Sequence, residues 1–206
     1  MHNIIYVIEP ILKSTNPIAN NFLIIKKTTM PSIKKTLDMT PVGMIFHVVK
    51  TPMETNGETL EMEWELLPGN DGTPVHIHPY AIESYKVLEG QLEVNTNGEW
   101  KTLKQGEELT VNKGVPHTFR NPLDTVTRVY NIHSPAMEFY NYFEGLCNIV
   151  DKLSSGKKEK LKMNLIAVTY LSMLMKKYKE EMVSVNPPGF VISVMNRVGK
   201  IMGLKV

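Results

Sequence analysis

The stretch 72-GTPVHIHPYAIESYKVLEG-90 decides the fold of this 206-residue chain. The chain has six histidines, and two of them, His76 and His78, stand one residue apart here with Glu83 close behind. In a β-strand the side chains of residues i and i+2 point to the same face. His76 and His78 would therefore direct both imidazoles into one space. Two such rings beside a carboxylate are typical of a metal site.

The sequence on either side of this stretch has the pattern of short antiparallel strands. Residues 60–66 alternate strictly between apolar and acidic side chains, as in a strand with one buried face. Asn97-Gly98 predicts a tight hairpin turn, because both residues tolerate positive φ angles. Further short apolar runs follow, separated by Gly, Pro and Asn. The pattern predicts a mostly β protein, an antiparallel sandwich or barrel, over residues 41–133.

Helical periodicity begins after the last of these runs. Ser134-Pro135 has the residue types favoured at a helix start, and we predict a helix from there. A second helix is predicted roughly over residues 157–183, and a third, amphipathic helix over residues 189–203. The predicted domains are an N-terminal segment without clear periodicity at 1–40, the β-barrel at 41–133 and a helical C-terminal extension at 134–206.

Charge is distributed unevenly along the chain, and this supports the division. From Lys152 to the end, eleven Lys and Arg face three Glu, a net charge of +8. Because the whole chain carries +2, residues 1–151 carry −6. The single cysteine, Cys147, cannot form an intramolecular disulfide, so we expect a cytoplasmic protein. No interleaving of aromatic and basic residues indicates nucleic acid. The tail's apolar runs are too short to span a membrane, and we expect the tail to pack on the barrel.

The two most distinctive stretches resemble the two motifs of the cupin superfamily. Residues 72–90 fit the pattern Gly followed by His-x-His-x4-Glu-x6-Gly. Residues 106–121 fit Gly-x7-Gly-x2-His-x3-Asn, ending in His117 and Asn121. One position departs from the pattern, since Asn112 stands where the second motif usually has proline. That position shapes a turn and supplies no ligand. The resemblance covers about residues 42–133.

The resemblance implies a small antiparallel barrel, jelly-roll-like and called a double-stranded β-helix. It also implies one divalent metal held by His76, His78, Glu83 and His117. Neutral imidazoles and a carboxylate suit Fe, Mn, Ni, Cu or Zn and do not suit Ca. Four protein ligands leave one or two coordination positions for a substrate or dioxygen.

Strand parity predicts an apolar and aromatic pocket beside the ligands. The residues expected to line it are Met62, Trp64, Tyr85, Val87 and Phe119. This lining favours an apolar or aromatic small molecule over a small dianion or a phosphosugar. We therefore carry two functional hypotheses. One is a quercetinase-like dioxygenase, an oxidoreductase in which Glu83 is the catalytic proton acceptor. The alternative is a non-catalytic cupin that binds or senses a small molecule.

Two further expectations concern residues outside the motifs. We interpret His47 and His133 as packed or exposed histidines and not as ligands, with His133 the better candidate for contacting the site. We also expect a homodimer, with strands from residues 30–51 pairing across subunits. The run MIFHVVK would otherwise form an open sheet edge, which is an aggregation hazard.

Overall fold

The computed structural model describes residues 4–7, 26–29 and 35–206, and most of the predicted N-terminal segment lies outside these ranges. The chain divides into a unit of residues 1–32 and a unit of residues 33–206. In the first unit, β1 (Ile4–Val7) pairs antiparallel with β2 (Lys26–Thr29).

The second unit contains two antiparallel sheets. Its strands are β3 (Lys35–Met39), β4 (Met44–Lys50), β5 (Leu60–Leu66), β6 (His76–Ile77), β7 (Ile82–Glu89), β8 (Gln91–Thr96), β9 (Glu99–Lys104), β10 (Glu108–Val111), β11 (His117–Arg120), β12 (Thr127–Ser134) and β13 (Val183–Ser184). One sheet has the order β10-β7-β12-β5-β4-β3, and the other has the order β13-β6-β11-β8-β9. The predicted mostly β, antiparallel architecture with C-terminal helices is confirmed.

The alternation in β5 determines which face of its sheet is buried. Its four apolar side chains, Leu60, Met62, Trp64 and Leu66, are all buried. The intervening glutamates lie on the other face, where Glu63 accepts a hydrogen bond from Arg128 at 2.7 Å. One hydrophobic core contains residues from both sheets, including Trp64 of the first and Phe119 of the second. The interior between the sheets is therefore apolar, as the alternation predicted.

The turns follow the local sequence. Asn97 and Gly98 join β8 to β9 with φ angles of 53° and 92°, so the predicted hairpin is confirmed. Gly72 has a φ of +72°, and a Cβ atom there would lie 1.7 Å from the carbonyl oxygen of Phe119. The chain before β6 thus runs against β11, and only glycine allows this approach.

Three helices follow the sheets: α1 (Phe139–Ser154), α2 (Leu165–Lys177) and α3 (Gly189–Ile201). The prediction that Ser134-Pro135 starts a helix is wrong, because Ser134 is the last residue of β12 and α1 begins only at Phe139. The second helix is shorter than predicted. It starts at Leu165, where the Asn164 side chain caps it by accepting a hydrogen bond from the Ala167 N–H at 3.0 Å.

The helices are layered outward from the sheets. Helix α1 contacts β3, and Glu144 on α1 pairs with Lys35 on β3 at 2.5 Å. Helix α2 contacts α1, and α3 contacts α2. At the last contact a Cβ on Gly199 would lie 2.2 Å from the Met173 sulfur, so the two helices approach closely. None of the helices in the described ranges has the length and apolar character needed to cross a bilayer.

Candidate metal centre

Four side chains from three strands and one turn meet in the interior. His76 begins β6 and His78 follows that strand, while Glu83 lies near the start of β7 and His117 begins β11. His76 and His117 are direct partners across the β6–β11 pair. All four residues are buried, and one ligand atom from each lies within 4.8 Å of the others. The structure therefore brings together the four residues that the sequence motifs indicated.

Backbone carbonyls orient the three imidazoles. The Nδ1 atom of His76 lies 2.9 Å from the Pro74 oxygen, and that of His117 lies 2.9 Å from the Val115 oxygen. The Nδ1 atom of His78 lies 2.6 Å from the Glu181 backbone oxygen. A carbonyl oxygen only accepts hydrogen bonds, so Nδ1 is the protonated nitrogen in each ring. In a neutral imidazole the lone pair is then on Nε2, which is the tautomer needed for metal ligation through Nε2.

Two of the Nε2 atoms lie against the Glu83 carboxylate. Oε2 of Glu83 lies 2.9 Å from Nε2 of His117 and 3.1 Å from Nε2 of His78. An imidazole lone pair and a carboxylate oxygen repel each other at such distances unless a proton or a cation lies between them. The arrangement therefore fits a divalent transition metal, with nitrogen and oxygen donors of the kind these ions prefer.

The second oxygen of Glu83 is held by β12. Asn131 donates to Oε1 through its Nδ2 at 2.8 Å, and Nε2 of His133 lies 3.4 Å from the same oxygen. Burial raises the pKa of Glu83, but His133, His117 and His78 outweigh burial and set that pKa well below the usual range. Glu83 is therefore the one negative charge of the cluster at neutral pH.

The histidines differ in their affinity for protons. Burial and the neighbouring His117 and His78 set the pKa of His76 well below its ordinary value. Burial also lowers the pKa of His117, but the hydrogen bond to Glu83 and the Glu83 charge outweigh burial and raise it. Burial lowers the pKa of His133 to about 3, so this ring is neutral at pH 7. His117 therefore has a higher affinity for a proton than His76 or His133.

A small cavity of about 20 Å³ adjoins the cluster. Trp64 and Phe119 line it, as the strand parity predicted. The other predicted pocket residues, Met62, Tyr85 and Val87, are buried in the core, but they do not line this cavity. Its polar lining comes from the candidate ligands His76, His78 and Glu83 together with Thr73 and His133. The remaining wall comes from β4 and from the helical extension, and consists of Met44, Phe46, Tyr142, Phe143, Leu146 and Met182. Strand parity could not identify the residues from the extension, because they belong to no strand of the barrel.

The two remaining described histidines lie in different environments. His47 is on the outer face of β4, with Nε2 3.0 Å from Glu65 and Nδ1 3.0 Å from the Thr36 hydroxyl. His133 is 1% exposed, contacts Glu83 and lines the cavity. Sequence reasoning missed Asn131, although it stands two residues before His133 and so shares its inward parity.

Comparison with known proteins places this geometry in a class. Residues 62–133 match a family model described as "Cupin domain". The matched residues 62–133, which include the buried His76, His78, Glu83 and His117, thus contain a cupin domain.

The similar curated proteins have diverse names. The HTH-type transcriptional regulator PuuR of Escherichia coli (strain K12) is 31% identical over 77 residues, which cover 37% of this chain and 42% of PuuR. Polyketide synthase CurC of Streptomyces cyaneus is 31% identical over 85 residues, 41% of this chain and 55% of CurC. The chain thus spans about half the length of the curated relatives it matches.

Among solved structures, KdgF from Halomonas sp. is 23% identical with a TM-score of 0.41, covering 48% of this chain and 85% of that protein. An RmlC-like cupin from Shewanella frigidimarina is 25% identical with a TM-score of 0.42, covering 48% of this chain and 82% of that protein.

Proposed function

We propose that this chain is a metal-dependent oxidoreductase, a quercetinase-like dioxygenase acting on an apolar or aromatic small molecule. The observation that carries the proposal is the convergence of three imidazoles and one carboxylate beside a cavity with aromatic lining. His76, His78, Glu83 and His117 would hold Fe, Mn, Ni, Cu or Zn. The bound metal would supply Lewis acidity and, if redox-active, electron transfer to dioxygen.

The protein groups around the metal would bind and orient the substrate. Trp64 and His133 line the cavity, and Trp64 Nε1 and His133 Nδ1 are buried without a hydrogen-bond partner among the described residues. Because His133 is neutral and its Nε2 faces the Glu83 carboxylate, Nδ1 carries a lone pair and accepts. The indole N–H donates. A buried donor and a buried acceptor beside aromatic side chains suit a hydroxyl group on an aromatic ring, since a hydroxyl both donates and accepts.

Glu83 is the proposed proton acceptor for that hydroxyl. Its Oε1 is held by Asn131 and approached by His133, so the carboxylate has a fixed orientation. Its low pKa makes it a weak base by itself. The proposal therefore requires a substrate hydroxyl that the bound metal has made acidic, as metals do for bound water.

The cavity is too small to hold the proposed substrate as it stands. A space of about 20 Å³ holds about one water and no organic molecule. Substrate entry therefore requires side chains of the wall to move. Tyr142, Leu146 and Met182 of the extension lie on that wall.

The similarity to the transcriptional regulator PuuR favours a second candidate, a cupin that binds or senses a small molecule without turnover. In this function the helical extension, whose residues 152–206 carry a net charge of +8, would be the output surface. The protein would then bind its ligand in the barrel and would not consume dioxygen.

Two measurements in sequence separate these functions. Metal content is first determined by mass spectrometry on the purified chain. Oxygen uptake is then followed with a panel of flavonols and simpler phenols, using Glu83→Gln as the control of equal shape. The dioxygenase proposal expects redox-active metal and oxygen consumption that falls more than occupancy in Glu83→Gln. Zinc with no uptake on any phenol would contradict it and would favour the sensing function.

A further inference from the structure

A segment after α2 returns to the strand that carries the candidate ligands. Strand β13 pairs antiparallel with β6, with Val183 opposite Ile77 and Ser184 opposite His76. The pairing continues one residue further, where the Val185 N–H donates to the Val75 oxygen at 2.9 Å. Strand β13 is thus an edge strand of the five-stranded sheet. It lies next to β6, which carries a candidate ligand, although the two strands are more than a hundred residues apart in the sequence.

The residue two positions before β13 contacts a ligand directly. The Glu181 backbone oxygen lies 2.6 Å from Nδ1 of His78, across a sequence separation of 103 residues. His76 and His117 instead use carbonyls that lie two residues earlier in the chain, just before their own strands. Among the three candidate histidine ligands, only His78 depends on a distant part of the chain for its tautomer and ring orientation.

The next residue links the same segment to the cavity and to α1. Met182 is buried and lines the cavity, and its sulfur accepts a hydrogen bond from the Tyr142 hydroxyl at 3.2 Å. Tyr142 lies on α1 and also lines the cavity. Residues 181–185 are therefore attached to β6 by strand pairing, to His78 by a hydrogen bond and to α1 through Met182.

We propose that residues 181–185 are a positioning element of the metal centre. The Glu181 carbonyl fixes His78 as the Nδ1–H tautomer, with Nε2 facing the other ligands, and Met182 closes the cavity beside it. The helical extension is then part of the centre and not a separate appendage. This inference rests on the proposed metal centre, because orientation of His78 has a function only if His78 binds a metal.

The first test uses the unmodified chain. With 15N-labelled histidine, the long-range 1H–15N spectrum of the metal-free protein should show His78 as the Nδ1–H tautomer. Its proton should exchange slowly with water, because donor and acceptor are both buried. An Nε2–H tautomer, or a proton that exchanges as fast as that of an exposed histidine, would overturn the proposal without any variant having to fold.

The second test weakens the pairing of β13. Val185→Pro removes the N–H that bonds the Val75 oxygen, whereas Val185→Ala keeps that N–H and is the matched control. The Val185 side chain is 45% exposed, so its truncation alone should matter little. We expect Zn²⁺ affinity to fall about tenfold or more in Val185→Pro, as for loss of an outer partner of a ligating histidine, and to stay unchanged in Val185→Ala.

Failure of the positioning role and failure of the proposed metal centre would give different results in these tests. Equal Zn²⁺ affinities for Val185→Pro and Val185→Ala would overturn the positioning role. A wild-type chain that binds no Zn²⁺, Fe²⁺ or Mn²⁺ at all would instead overturn the metal centre itself. In that case the tautomer of His78 still reports whether the Glu181 contact exists in solution.

Discussion

Glu83 is the residue on which the electrostatics of the site depend. It is 2% exposed, and both of its oxygens have close neighbours. His78 and His117 lie beside Oε2, and Asn131 and His133 lie beside Oε1. A buried carboxylate without such partners would be strongly destabilising. In the proposed metal centre, Glu83 would partly neutralise the charge of a divalent cation, which three neutral imidazoles cannot do.

Metal binding should weaken as the pH falls, because protons and the metal compete for the same lone pairs. His117 should protonate first, since its pKa is raised, and His76 should protonate last, since burial lowers its pKa. Once the pH falls below the pKa of His117, which lies above the ordinary histidine value of about 6.5, we expect Zn²⁺ affinity to fall about tenfold per pH unit. The fall should become steeper only at the much lower pH at which His76 also protonates. Competition titration with a chelator from pH 5 to pH 8 measures this, and a constant affinity over that range would contradict it.

Asn121 has a structural role at the end of the second motif. Its Nδ2 donates to the Leu66, Leu67 and Thr125 oxygens, and its Oδ1 accepts from the Leu123 N–H and the Thr127 hydroxyl. Asn121 is 2% exposed, so water cannot replace these bonds.

Asn121→Ala should therefore lower the free energy of unfolding by about 3 kcal/mol or more, because several buried polar groups lose their partner. Asn112→Ala is the control, since Asn112 is exposed, and should change it by less than about 0.5 kcal/mol. Urea unfolding monitored by circular dichroism measures both. Similar midpoints for the two variants would show that the hydrogen bonds of Asn121 contribute little.

At the scale of elements, the turns before and between strands fix the positions of the ligands. Gly72 precedes β6, and its positive φ and its contact with the Phe119 carbonyl bring the chain against β11. Gly106 also has a positive φ, of +87°, but a Cβ there would meet nothing within 4 Å. Gly72 and Gly106 thus share a left-handed backbone conformation but differ in the atoms that surround them.

Gly72→Ala should destabilise the protein by more than about 3 kcal/mol, since backbone strain and a clash with backbone act together. Gly106→Ala is the matched control and should cost only about 1 kcal/mol, from the backbone conformation alone. Thermal unfolding of the two variants gives the comparison. An equal loss of stability would mean that the loop before β6 relaxes away from β11.

The elements that the sequence predicted well are those with a local signal. Strict alternation located β5, and Asn97-Gly98 located the β8–β9 turn, because both patterns depend on neighbouring residues alone. The sequence also predicted that His76, His78 and His117 lie close together, because strand parity and motif spacing are local patterns too. Strand β13 and the Glu181 carbonyl were missed, since a backbone acceptor 103 residues from His78 leaves no trace in side-chain pattern. Ser134-Pro135 has the composition of a helix start, but β12 extends through Ser134 by pairing with β7.

At the scale of the whole molecule, the sheet edge differs from the prediction. The expectation that MIFHVVK forms an open edge is wrong, because this strand, β4, lies between β3 and β5. Strand β3 occupies the edge, and residues 30–34 of the predicted subunit-pairing segment lie outside the described residues. Lys35 and Asp38 of β3 pair with Glu144 and Lys158 of the extension.

The homodimer stays a prediction, now with β3 as the edge that pairs. Such an edge presents unpaired backbone groups, and a second copy of the chain is the usual way to cover them. Light scattering at micromolar concentration should give about twice the chain mass of 23.4 kDa. A mass of one chain would rule out a stable dimer at that concentration.

Metal content across variants tests the central claim, that His76, His78, Glu83 and His117 form one metal centre, most directly. Mass spectrometry after identical purification should find about one metal per wild-type chain, from the single site that the four ligands make. His76→Ala and His117→Ala should lose it, because each removes a metal–ligand bond. Glu83→Gln should retain less than wild type, while His47→Ala, on the outer face of β4, should match wild type. His133→Ala should also keep its metal, since His133 contacts the carboxylate and is not a ligand. Equal metal in wild type and His76→Ala would contradict the site and the dioxygenase proposal with it.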